Sequence, residues 1–225
     1  GDELQAMLHE TLTAFRTDDR KLAEAVATRD DAIDRLCEEV KTYLLRIQPE
    51  SMSDADARRS MEILQYATNL EHAGDIIEKN LIELAIKKIK NRVNFSDEGF
   101  GDIAALHADL LETLRLSLAV FMNGDVTMAR KLLAEKVEFR ERERAAAQTH
   151  LERLRSRVPD TIETSSLHLD VLRDLKRIHS HLVSVAYPIL EATGALRDSR
   201  LAPEKSPRRA KPKPDLGSPA APASQ

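Results

Sequence analysis

Apolar positions recur three and four apart through most of this sequence, the period of a helix with one buried face rather than of a strand. Leu4, Met7, Leu8, Leu12 and Phe15 predict a first helix from about Glu3 to Arg16. A second pattern continues to about Gln48, where Pro49 stops it. Ser51 or Ser53 can cap a long third helix, with Asp54 and Asp56 in its electropositive first turn and a stripe through Met61, Leu64, Leu70, Ile77, Leu81 and Leu84 towards Asn91. Ser96 can cap a fourth that ends near Met122 at the turn Asn123-Gly124-Asp125. The fifth reaches about Arg157 and breaks at Val158-Pro159-Asp160. The sixth starts at Ser165 or Ser166 and carries Leu169, Leu172, Leu175, Ile178, Leu182 and Val185, with Pro188 predicted to kink it.

The six patterns are two sets of three. Phe15, Asp19, Leu22, Ala23 and Val26 return as Phe121, Asp125, Met128, Ala129 and Leu132, an offset of 106, and 69–75 returns as 174–180, an offset of 105. A repeat of half the chain is too long for a solenoid and suits two similar bundles. The expected fold is therefore all-α, two tandem three-helix bundles over 1–94 and 95–200. Residues 201–225 hold six of the nine prolines among Lys205, Arg208, Arg209, Lys211 and Lys213, with almost no large apolar side chains, and read as a disordered basic tail.

Composition sharpens this picture. The chain is 32% charged, 4% aromatic and without Trp, a mixture that favours helices. A net charge of -4 gives no footprint for nucleic-acid binding, and none is expected. Cys37 is the only cysteine, set among Ile33, Leu36 and Val40, so it reads as a core thiol and excludes an internal disulfide. No apolar run approaches the roughly 18 to 20 residues that span a bilayer. The start at Gly1, without an initiator Met, reads as a piece of a longer chain.

The candidate chemistry lies on the third helix. Ile63, Ala67, Leu70, Gly74, Ile77 and Leu81 form one stripe, and Glu71, Asp75 and Glu78 border it. Glu71 and Asp75, four apart, stand over one another and can offer oxygens to one point. Adjacent carboxylates repel unless a proton or cation lies between them, which invites a hard or borderline metal. Asp30, Asp31 and Asp34 on the preceding helix could complete such a site, although the same acids also suit a solvated flank. Gly74 costs about 1 kcal/mol in a helix relative to Ala, so a close approach by a neighbouring backbone is expected there. His72 is expected outside the site, and Asp170 and Asp174 at the surface.

The run Leu70-Glu71-His72-Ala73-Gly74-Asp75-Ile76-Ile77-Glu78-Lys79-Asn80 resembles the signature helix of PhoU domains, in which an acid, three residues and Asp precede a short apolar stretch and Asn. The resemblance spans about Leu4 to Arg197 and implies tandem three-helix units with a metal site in the first half at Asp31, Asp34, Glu71 and Asp75. A divalent or trivalent ion such as Fe, Zn or Mg would be the cofactor. In the second copy Lys176 and Ser180 replace the acids. Together with Ala186-Tyr187-Pro188-Ile189-Leu190, that version is similar to the PhoU-like domain at the C-terminal end of sodium/phosphate cotransporter proteins. It implies a cytoplasmic accessory or regulatory domain at the inner face of the plasma membrane. Its partners would be the transporter portion of the same polypeptide, signalling proteins and a second copy of itself. The alternative is a free-standing PhoU-type phosphate-signalling regulator. A carboxylate-bridged metal enzyme comes last, because no P-loop, Gly-x-Ser-x-Gly, His-Glu-x-x-His or Glu-x-x-His pattern is present.

Overall fold

The structure, a computed structural model, describes residues 1–47 and 52–194. Gln48, Pro49 and Ser51, the end of the predicted second unit, and the tail 201–225 lie outside the described residues. The first half contributes α1 (Asp2–Thr17), α2 (Arg20–Arg46) and α3, which runs as Asp54–Ile76, a π-helical stretch Ile77–Ile82, and Glu83–Asn91. The second half contributes α4 (Asp97–Asn123), α5 (Val126–Arg155), a short α6 (Pro159–Glu163), α7 (Ser165–Val183) and α8 (Ala186–Ala192). No strand occurs among the described residues, and no helix there is long and apolar enough to cross a membrane.

The repeat is visible in the punctuation. Asp18 and Gly124 take the left-handed conformation that ends α1 and α4, at φ 56° and 63°. Asp19 and Asp125 then accept from the backbone N–H of Leu22 and Met128 at 3.0 and 2.7 Å, capping α2 and α5. Each such cap stabilises its helix by about 1 kcal/mol. Ser53, not Ser51, caps α3 and forms a reciprocal capping box with Asp56. The chain around 158–160 does not simply break: Pro159 opens the one-turn α6, where its missing N–H costs nothing. Ahead of Pro188, Ser184 and Val185 keep helical φ and ψ but bond in tighter turns, which interrupts the helix between α7 and α8 where a kink is predicted.

One buried cluster draws on both halves, from Leu4, Met7, Val26, Ile77 and Leu81 to Leu110, Leu114, Leu172, Leu175 and Leu182. A second gathers Tyr66 of α3 with Val120, Leu132, Val183 and Leu190. Helix α3 packs against α2 on one side and α7 on the other. The hydroxyls of Tyr66 and Ser117 lie 2.8 Å apart, and Ser117 donates to Leu182 O at 2.7 Å, which joins α3, α4 and α7. This shared packing places the signature helix of the first half in the middle of the molecule.

Candidate metal centre

The buried stripe of α2 is Ala23, Val26, Asp30, Ile33 and Cys37. Asp30 thus stands in a core position, 4% exposed, and its Oδ1 has no hydrogen-bond partner. Such a group normally costs several kcal/mol unless something compensates it. Directly opposite lies Gly74. A Cβ there would fall 2.3 Å from Asp30 Oδ1 and 3.3 Å from Ile33 Cδ1, so the missing side chain makes room for the carboxylate. The close approach expected at Gly74 is real, but it is made by a side chain rather than by backbone.

Oxygens of Asp30, Asp75 and Glu78 lie within 4.8 Å of one another. Burial, followed by the charges of Asp34, Glu78 and Asp75, pushes the Asp30 carboxyl up to about 7, and the ammonium of Lys79 acts in the opposite direction. Lys79 itself is bonded to Asp75 Oδ1. Glu78, Lys79 and Asn80 all belong to the π-helical stretch, the wider turn that recurs at functional sites. An orphaned buried oxygen, three hard donors and a glycine-made recess fit a hard or borderline divalent cation. Asp30, Asp75 and Glu78 would hold it, and it would supply positive charge that offsets their repulsion.

Of the four acids expected at the site, only Asp75 enters this group. Asp31 is exposed, and Asp34 is also exposed, although its charge acts on Asp30. Glu71 lies by Cys37 and Lys41, with one oxygen 3.6 Å from His72 Nε2. Asp30 was recognisable from its place between Val26 and Ile33 in the apolar period, where a carboxylate is out of place. Glu78 borders the Gly74 stripe in sequence, and the π-helical stretch contains it.

The second half carries different chemistry at the matching places. Lys136 and Arg140 stand at the offset of 106 from Asp30 and Asp34, while His179, Ser180 and Val183 stand at 105 from Gly74, Asp75 and Glu78. The recess of Gly74 is replaced by the His179 ring, stacked on Phe139 at 4.1 Å and held by burial at a pKa of about 4. Asp174, expected at the surface, is instead fully buried and accepts from Arg173, Arg177 and Asn80. Asn80, on the first-half signature helix, is therefore one of the side chains that reach across to α7, as Asn69 does to His181 at 3.0 Å.

A PhoU domain family model matches residues 1–83 and 103–189, a span that includes the acids and their replacements. The YjbB proteins of Salmonella typhimurium and of Escherichia coli K12, provisionally named inorganic phosphate export proteins, are each 38% identical over 191 residues. The match takes in 85% of this chain but only 35% of theirs, so the chain spans about a third of the length of these curated relatives. Crystal structures of PhoU from Pseudomonas aeruginosa and Streptococcus pneumoniae superpose with a TM-score of 0.74 at 20% and 16% identity. They cover 87% of this chain and 92% and 91% of theirs, which shows the shared fold. Sodium-coupled cotransport, expected from the second-copy pattern, has no counterpart in the names of these relatives.

Proposed function

This chain belongs to the PhoU domain family, and from that premise we propose that it is a regulatory module of phosphate handling which works by binding a metal ion and protein partners rather than by turning over a substrate. The observation that carries the metal part is the orphaned Asp30 carboxylate in the Gly74 recess, facing Asp75 and Glu78. Because Asn80 joins the same stretch to the buried Asp174 of α7, an ion on the first half would act next to one of the contacts between the halves.

The coverage of nearly the whole of two PhoU chains supports a phosphate-signalling regulator that contacts sensor and transport proteins. A second reading is supported by the 38% identity to a stretch making up 35% of the phosphate export proteins. In it the chain is the accessory module of a longer protein and acts on the membrane portion of the same polypeptide at the cytoplasmic face. Deleting the coding region for 2–194 in frame from the native gene tests both. Phosphate release from cells preloaded with labelled phosphate, or expression of phosphate-starvation genes, should change several-fold. Effects on release alone favour the second reading, whereas unchanged release with unchanged expression contradicts the regulatory function.

A further inference from the structure

Beside the acids, a groove of about 340 Å³ runs between α3 and α7, lined by His72, Asp75, Lys79, Asn80, Arg177 and His181. The groove joins the two repeats, and its cationic groups come from both: Lys79 from the first, Arg177 from the second. Arg177 Nη1 donates to Asp174 Oδ1 at 2.9 Å, and Asp174 also receives Arg173, which bonds Asp170 as well, so Arg177 shares its one carboxylate with a second guanidinium. The rings of His72 and His181 meet edge to face at 5.3 Å. Burial, then His72 and Arg177, lowers the His181 pKa.

The state of Lys79 decides what the groove can hold. In the structure its ammonium pairs with Asp75, one of the three clustered acids, and so occupies a cation's role at the edge of that cluster. A divalent ion on Asp30, Asp75 and Glu78 takes over the Asp75 carboxylate and repels the ammonium. The four-carbon stem of Lys79, more than half exposed, lets the charge swing away along the groove it already lines. There it faces Arg177 with no carboxylate of its own. Cations gathered in a partly enclosed cleft favour an anion with several acceptor oxygens, since charge-assisted hydrogen bonds from ammonium and guanidinium are the strong ones.

We propose that this groove binds a phosphate-type oxyanion between Lys79 and Arg177, and that a cation on Asp30, Asp75 and Glu78 switches the site on by releasing Lys79 from Asp75. The switching half rests on the metal reading above, while the groove stands on its own residues. Coupling of this kind is reciprocal, so phosphate also tightens the cation.

Asp75→Asn separates the two halves, because it frees Lys79 without any metal. Isothermal titration of orthophosphate in chelator and low salt should show about two- to fivefold tighter binding to Asp75→Asn than to the wild type, the scale of one freed exposed charge pair. Adding Lys79→Gln, an exposed change that leaves Asp174 and its arginines intact, should remove that gain. Wild type loaded with Mn²⁺ should match Asp75→Asn. Equal phosphate affinity with and without Lys79→Gln, or no binding to Asp75→Asn, overturns the groove. Binding to Asp75→Asn with no effect of Mn²⁺ on the wild type retains the groove and rejects the metal switch. Glycerol 3-phosphate run in parallel identifies the source: equal affinity assigns the groove to the head of a phosphate ester, and weaker affinity to the free ion, with either result supporting the site.

Discussion

In chelator, Asp30→Asn is expected to gain stability relative to the wild type as pH rises from 5 to 8. Asp30 has a folded pKa of about 7, above its unfolded value of 3.8. Between those values the folded state binds more protons, so stability falls with rising pH, and the full penalty is present above 7. Three pKa units would amount to about 4 kcal/mol. About two of those units lie between pH 5 and 7, about 2.7 kcal/mol, and because Asp75 and Glu78 keep contact with water, roughly 1 to 2.5 kcal/mol is the expected size. Urea denaturation at pH 5, 6, 7 and 8 reads the slope. His168 and His179, both lowered to about 4 chiefly by burial, act oppositely, destabilising the fold as pH drops through 6.5 towards 4 in both proteins, so they cancel from the difference. A difference between wild type and Asp30→Asn that does not change from pH 5 to 8 contradicts the burial of a charged carboxylate.

The second large effect is expected at Asp174. Its side chain is fully buried, and it accepts bonds from Arg173, Arg177 and Asn80 at 2.9 to 3.3 Å. Removing one partner of a buried ion pair costs about 3 to 5 kcal/mol when the other charge is left dry. Here both arginines are about half exposed and can take up water again, so Asp174→Ala should cost roughly 2 to 3 kcal/mol. Asp170→Ala, removing an exposed pair with Arg173 one turn earlier, should cost less than about 0.5 kcal/mol. Denaturation curves of the two variants make the comparison, and similar losses for both would contradict a structural role for Asp174.

The repeat, the caps and the helix faces were legible because they rest on local chemistry. Ser53 and Ser96 cap their helices as predicted, Asp19 and Asp125, read in sequence only as matching turn positions, cap in both copies, and Cys37 is the buried thiol that its apolar neighbours predict. The interruption ahead of Pro188 follows from its missing N–H. Which acids converge was less legible, since that depends on how α2 is turned against α3. Asp31 and Asp34 share helix and charge with Asp30, but only Asp30 occupies the core side of the stripe, opposite Gly74. The place of Glu78 lies in a π-helical stretch that no ideal wheel represents. Asp174 looks like a surface acid until Asn80, 94 residues earlier, and the flanking arginines enclose it.

Lys136, His179 and Ser180 stand in the second half where the first has Asp30, Gly74 and Asp75, so the proposed metal centre has no counterpart there. The fold carries the symmetry, and the α3–α7 seam is where the two halves can sense one another.

The most direct measurement is thermal denaturation with Mn²⁺ or Zn²⁺ titrated into chelator-treated protein, for the wild type, two pairs of substitutions and Gly74→Ala. A cation at a hundredfold excess over its Kd stabilises by about 2.7 kcal/mol, a melting shift of several degrees. That shift should be present in the wild type and in Asp31→Asn with Glu71→Gln, and absent in Asp30→Asn with Glu78→Gln and in Gly74→Ala. No shift in the wild type, or one lost with Asp31 and Glu71 but kept without Asp30 and Glu78, would contradict the Asp30, Asp75 and Glu78 centre.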